Sequence, residues 1–231
     1  MLAPFTAIAI AVSLLAAYLR RRRAHYPAQT VIVSPRRTTV VSGDGQVRSV
    51  QSADLSVEPS DVDRIWGPAN LENLARTYWR FLSRVTLGLI RVLYGAETRS
   101  VCLLSPAITL LRFDKPQYTV EDDYGLVRWP IRDGLLVARS GRGSGFLALD
   151  VRRRAPGEDG RTVFHIEVEV SAFYPSIATG FGVPVYRMTQ SFIHGLVTTA
   201  FLRSLGRLDL AQSRIGSLAH TITERLPGGQ L

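Results

Sequence analysis

Thr162-Val163-Phe164-His165-Ile166-Glu167-Val168-Glu169-Val170-Ser171-Ala172 is the stretch that decides the fold class. Apolar and polar residues alternate through it with a period of two. Phe164, Ile166, Val168 and Val170 therefore share one face of a strand, and Val163, His165, Glu167 and Glu169 share the other. A strand with one apolar and one charged face belongs to a sheet that is covered on one side and wet on the other. The same period runs back to Val101, giving about six strands at residues 107–113, 117–121, 126–131, 135–139, 146–152 and 162–172. The loops between them, Asp122-Asp123-Tyr124-Gly125, Arg132-Asp133-Gly134, 141–145 and 156–160, carry hairpin turn chemistry, so the strands form an antiparallel meander. Between the last two strands, pairing apolar residues with apolar ones requires partner numbers with an odd sum. That brings Asp150 near His165, and Arg152 near Glu167 or Val163.

Helical periodicity flanks this region. Pro59-Ser60-Asp61 opens a short helical turn that Gly67-Pro68 ends, and Asn70 offers a cap for a long helix over 70–94 closed by Gly95. On that helix Leu71, Leu74, Ala75, Tyr78, Phe81, Leu82, Val85, Leu89, Val92 and Leu93 gather on one half, for the core. Arg76, Arg80, Arg84 and Arg91 fall on the other half, where they face water or anionic headgroups. A second helix is predicted over 185–208. Its apolar residues surround it, so it is largely buried, and the small residues around Gly195 permit close approach of another surface. Residues 209–226 read as a weaker amphipathic helix. Upstream, Thr38 to Val41 faces Gln46 to Val50 across Ser42-Gly43-Asp44-Gly45, which reads as a β-hairpin or a tether.

An antiparallel meander followed by a long buried helix resembles, by element order over roughly Val101 to Leu208, the helix-grip arrangement of the START-like (SRPBCC) superfamily. The resemblance implies a sheet wrapped around the last helix with an apolar cavity for a lipid or other hydrophobic ligand. It departs from the family pattern in placing one long helix before the sheet.

From Leu2 to Leu19 no side chain is charged, and Arg20, Arg21, Arg22 and Arg23 end the run. At 1.5 Å per residue the stretch covers about 27 Å, close to the thickness of a bilayer's hydrocarbon layer. The charge follows the apolar run instead of preceding it, unlike a cleavable secretory signal, and the positive-inside rule places everything after Arg23 in the cytoplasm. The alternative is a short apolar segment that packs on the domain or is processed away. The expected organisation is thus a transmembrane anchor (1–23), a linker or β-hairpin (24–58) and an α+β domain (59–231).

The net charge of +9 is spread evenly: through Glu58 there are seven basic and three acidic residues, and 21 against 16 thereafter. With no concentrated basic face and no nucleic-acid-binding module signature, nucleic acid is not expected as a partner. Cys102 is the single cysteine; it lies in an apolar run and reads as a buried hydrophobe.

Catalytic patterns are weak, which disfavours an enzyme without excluding one. Gly141-Arg142-Gly143-Ser144-Gly145 precedes a strand and not a helix, so it reads as a hairpin and not as a phosphate loop. His165, Glu167 and Glu169 are metal-binding or acid–base types on one strand face, but nearby arginines make cross-strand ion pairing the simpler account. No cofactor or metal is expected. The candidate ligand lining is Trp129, Phe164, Ile166, Val168, Tyr186, Gln190, Ile193, His194, Val197 and Phe201, with His194 as a polar anchor or a structural hydrogen-bonding group. The candidate membrane surface is Arg20, Arg21, Arg22, Arg23, Arg76, Arg80, Arg84 and Arg91. The expectation is a membrane-anchored cytoplasmic domain that binds a hydrophobic small molecule. A scaffold subunit docking a membrane-protein partner is the alternative, and an enzyme on a hydrophobic substrate comes third.

Overall fold

The computed structural model describes residues 26–33, 39–95, 97–176, 195 and 197–212. Among them an antiparallel sheet of ten strands carries the fold: β1 (Gln29–Ile32), β2 (Thr39–Val41), β3 (Val47–Val57), β4 (Ile90–Tyr94), β5 (Arg99–Leu103), β6 (Thr109–Phe113), β7 (Gln117–Val120), β8 (Tyr124–Asp133), β9 (Phe146–Arg153) and β10 (Thr162–Phe173). Their order across the sheet is β1-β3-β10-β9-β8-β6-β5-β4. β2 adds to the β3 edge beyond β1, and β7 and β6 lie one after the other along β8. The fold class is α+β, as the alternation in β10 requires.

The register follows the hydrophobic pattern. Ile166 lies opposite Val151, Val168 opposite Leu149 and Val170 opposite Leu147, so the odd-sum pairing holds. His165 faces Arg152 and Glu167 faces Asp150, so the expected neighbours, Asp150 with His165 and Arg152 with Glu167 or Val163, are not directly opposed: the register is two residues off from each of those pairs. On its other edge β10 pairs with β3 along almost its whole length, from Thr162 opposite Val57 to Phe173 opposite Val47. The hairpin expected around Asp44-Gly45 forms, and its second strand runs on to Val57 in the interior of the sheet. Residues 47–57 are thus built into the domain.

The expected helix over 70–94 is shorter and starts earlier. Helix α1 spans Pro68–Val85, with Pro68 in the first turn, where a missing N–H costs nothing. Asn70 is inside the helix, donating to the carbonyls of Asp63 and Trp66 and tying the Pro59–Arg64 3-10 turn to it. The helix stops at Thr86, because Leu87 (φ 53°) and Gly88 (φ 81°) are left-handed. The β-branched residues of Ile90-Arg91-Val92 then favour a strand, and 90–94 becomes β4. The strand expected over 135–139 is instead a turn with one bridge, Val137 to Pro175, leading into a 3-10 turn at Arg139–Gly141; Gly134 (φ 144°) breaks the extended run after β8.

Residues 195 and 197–204 are helical (α2, 197–204), and the 3-10 turn Leu205–Arg207 closes the element at a left-handed Leu208. Val197, Thr198, Ala200, Phe201, Leu202 and Leu205 are all buried, matching the expectation of a helix covered on most sides. The rest of the predicted helix (185–194), most of the tail helix (213–226) and the predicted membrane span lie outside the described residues. No helix among the described residues is long and apolar enough to cross a membrane.

Both helices cover one face of the sheet. Trp79 of α1 meets Trp129 of β8 and Phe113 of β6, with centroids 5.2 and 5.3 Å apart, while Tyr78 and Phe81 meet Phe201 of α2 at 5.1 and 5.9 Å. Gly125 lets α1 settle close on β8: a Cβ there would touch Leu71 at 3.4 Å. Burying each of these large side chains stabilises the fold by about 1.5–3 kcal/mol. Ile166→Ala, in a fully buried site, is expected to cost about 2–5 kcal/mol in urea unfolding. Arg48→Ala, which removes an exposed ion pair with Glu169, should cost no more than about 1 kcal/mol.

Candidate functional site

Trp129, Phe164, Ile166, Val168, Val197 and Phe201 do come together, on the face between sheet and helices. Each of them is buried. Tyr186, Gln190, Ile193 and His194 lie outside the described residues. Near the start of β3 this interior turns polar. Ser49 and Gln51 are buried and hydrogen-bonded to each other at 3.2 Å, Thr39 meets Ser49 at 2.9 Å, and Gly195 of the last helix lies beside Gln51. Burial pushes the Tyr78 phenol up to about 12, with the Thr198 hydroxyl beside it.

A second polar group sits between α1 and strands β4 to β8. Glu72 and Arg99 are both buried and line one cleft of about 20 Å³ with Trp79, Tyr94, Tyr118 and Trp129, room for about one water. Arg99 donates to the carbonyls of Gly95 and Thr98 at 2.9 and 3.0 Å and lies over the Tyr94 ring at 4.7 Å. Burial, helped by the Glu72 carboxylate, pushes the Tyr118 phenol up to about 12. These contacts lock the β4–β5 hairpin to α1. Nothing in the sequence pattern flagged them, because Glu72 falls among the apolar positions of the helix.

The His165, Glu167 and Glu169 face is the solvent side of the sheet. His165 Nδ1 lies 2.6 Å from Asp54 of β3, Arg48 donates to Glu169 at 2.7 Å, and Arg154 and Arg152 pair with Asp54 and Asp150. No group of three or more potential ligands among the described residues is arranged to hold a metal. Asp54 was not legible as the histidine's partner, since only the β3–β10 register places it there.

The arginines of the helix layer contrast with this balanced face. On the sheet Arg48, Arg112, Arg132, Arg152 and Arg154 each have a carboxylate partner. On the helices Arg80, Arg84 and Arg203 are exposed, and none has a carboxylate partner among the described residues. The expected four-residue row is broken, however. Arg76 lies over the Tyr94 ring at 5.4 Å. Arg91 is on β4, where Ile90 and Val92 pack against the core and strand alternation turns Arg91 to the opposite face. Arg203 escaped the sequence reading, although its position after Leu202 on a helix buried elsewhere marks the one wet side. Arg20 to Arg23 lie outside the described residues.

Glu167 carries the clearest pH signal. Burial, then the neighbouring carboxylates of Asp150 and Glu169, raises its pKa above the ordinary 4.5. The folded state holds this proton longer than the unfolded chain does, so stability falls as pH rises from about 4.5 through the raised value. Glu167→Gln should remove that loss, raising the urea midpoint at pH 7 more than at pH 4.

No protein-family model matches the chain, and no curated protein is similar to it in sequence. Among solved structures, the crystal structure of Ara h 8.0201 is similar at 12% identity and a TM-score of 0.31, covering 67% of this chain and 95% of that one. The crystal structure of a conserved protein from Geobacillus kaustophilus is similar at 10% identity and a TM-score of 0.35, covering 75% of this chain and 96% of that one.

Proposed function

We propose that this chain is a membrane-anchored interaction domain whose helix layer lies against an anionic bilayer surface, where it serves as a scaffold on the cytoplasmic face. The observation that carries the reading is the division of charge. Arg48, Arg112, Arg132, Arg152 and Arg154 on the sheet side are ion-paired, with Arg91 and Arg128 the exposed exceptions, whereas every exposed arginine of helices α1 and α2, Arg80, Arg84 and Arg203, lacks a carboxylate among the described residues. Guanidinium groups suit phosphate headgroups, and each contributes about 1 kcal/mol near an anionic leaflet.

The start of the described chain fits this placement. Ala28 donates to the Gly206 carbonyl at 3.0 Å and Tyr26 accepts from Arg207 at 3.1 Å, so the chain enters beside the end of the last helical element. A Cβ on Gly206 would lie 2.8 Å from the Ala28 carbonyl oxygen, so this junction requires glycine. Only two residues separate Arg23, the end of the predicted span, from Tyr26, a reach of about 10 Å over three Cα–Cα steps.

A hydrophobic ligand held against the inner face of the sheet is the second reading. The buried polar pair Ser49 and Gln51 beside Gly195 favours it, as a polar patch on the inner face of the sheet. Mass spectrometry of the full chain purified in mild detergent should then find one stoichiometric apolar molecule, lost in Gln51→Leu; finding none would discard this reading.

For the first reading, the full chain in vesicles carries a fluorescent donor at Ser83→Cys and the lipid headgroups carry acceptors. Energy transfer should rise when phosphatidylserine is added and fall again at 1 M salt, where the screening length is about 3 Å. Reversing Arg80, Arg84 and Arg203 to glutamate should weaken the apposition at least about a hundredfold, from about 3 kcal/mol of lost attraction. Transfer that ignores lipid charge would contradict the reading.

A further inference from the structure

The end of the sheet farthest from Tyr26 carries a rim of bare apolar side chains. Leu87 in the α1–β4 turn is 83% exposed, Leu104 in the β5–β6 loop 56% and Leu135 in the β8–β9 connection 61%, with Leu89 and Ile108 partly exposed beside them. The three connections are neighbours. The Leu104 N–H donates to the Leu89 carbonyl at 2.7 Å, the Leu135 N–H donates to the Thr109 carbonyl at 3.1 Å, and Leu135 shares an open groove with Pro106, Ala107 and Arg142.

Two of the leucines stand where a side chain is disfavoured. Leu87 has φ 53° and Leu104 φ 61°, left-handed positions that glycine fills at lower cost. Neither side chain recovers that cost by burial within the described fold. Around the rim, Arg84, Arg91, Arg139 and Arg142 are exposed, and none has a carboxylate partner among the described residues. Asp133, the acidic side chain of the groove, is held by Arg112 at 3.2 Å.

We infer that this rim is a second membrane attachment, in which Leu87, Leu104 and Leu135 enter the acyl boundary of an anionic leaflet while the flanking arginines hold its phosphates. Apolar tips ringed by guanidinium groups are the composition that binds an interface of hydrocarbon and anionic headgroups. The eleven residues of β3 set the spacing: Val57 is at the Tyr26 end and Val47 at the rim end, about 35 Å apart. An anchor at one end and a rim at the other lay the domain lengthwise on the bilayer, with Arg80 and Arg84 between. The inference rests on the helix layer facing the membrane and adds where the contact penetrates.

The test places an environment-sensitive probe at Leu87→Cys, at Leu135→Cys and, as a control, at Glu158→Cys at the opposite end of the sheet, each in the full chain in phosphatidylserine-containing vesicles. Cys102 is buried and stays unlabelled. Lipids brominated along the acyl chain should quench both rim probes at least about twofold more than the control. Leu87→Gly with Leu104→Gly suits the left-handed backbone, so the fold persists, and the variant should abolish quenching at 135. Rim probes that stay unquenched while the Ser83 donor still reports headgroup proximity would overturn the insertion and leave the helix-layer reading standing. If the Ser83 signal also fails, both fall. Quenching at 135 that survives the double glycine variant would also overturn the leucines' role.

Discussion

Water must be kept off one face of a ten-stranded sheet, and the arrangement of the described domain follows from that constraint. β10 shows why: with Phe164, Ile166 and Val168 on one side and His165, Glu167 and Glu169 on the other, a slip of one residue would exchange the two sets. The pairing with β3 and β9 holds that register along the strand, so the apolar sides of three neighbouring strands coincide. Helices α1 and α2 are the cover. Their aromatic contacts, centred on Trp79, Trp129, Tyr78 and Phe201, close the interior among the described residues.

Covering that face also sorts the charges. The opposite side of the sheet is wet, and the even spacing of strands brings arginines and carboxylates within reach of one another, so Arg48, Arg152 and Arg154 find partners. A helix lying on the sheet has no such neighbour on its outer side. Arg80, Arg84 and Arg203 have no carboxylate partner among the described residues. The layer arrangement thus leaves exposed guanidinium groups on the helix side.

Much of this was legible in the residues. Period-two alternation in 162–172 fixed the strand, its inner face and the odd-sum pairing, and the turn chemistry of Asp44-Gly45 located the hairpin. The long helix was misread at its end because Leu89, Val92 and Leu93 continue a helical spacing by coincidence. Two consecutive left-handed residues, Leu87 and Gly88, decide the matter, and a leucine gives no warning of positive φ. That error also placed Arg91 in the row of α1. The ion pair of His165 with Asp54 depended on a strand pairing more than a hundred residues apart in sequence, which periodicity does not encode. Packing is the other quantity that periodicity leaves open: Trp129, Phe164 and Phe201 read equally well as cavity lining and as core.

The claim that the helix layer faces the bilayer is most directly tested by photocrosslinking the full chain, in native membranes, to lipids that carry a photoactivatable group on an anionic headgroup. Mass spectrometry of the adducts should place them on residues 76–84 and around Arg203, with the solvent side of β9 and β10 unmodified. Adducts concentrated on the Asp150 to Glu169 face, with the helices bare, would contradict the account.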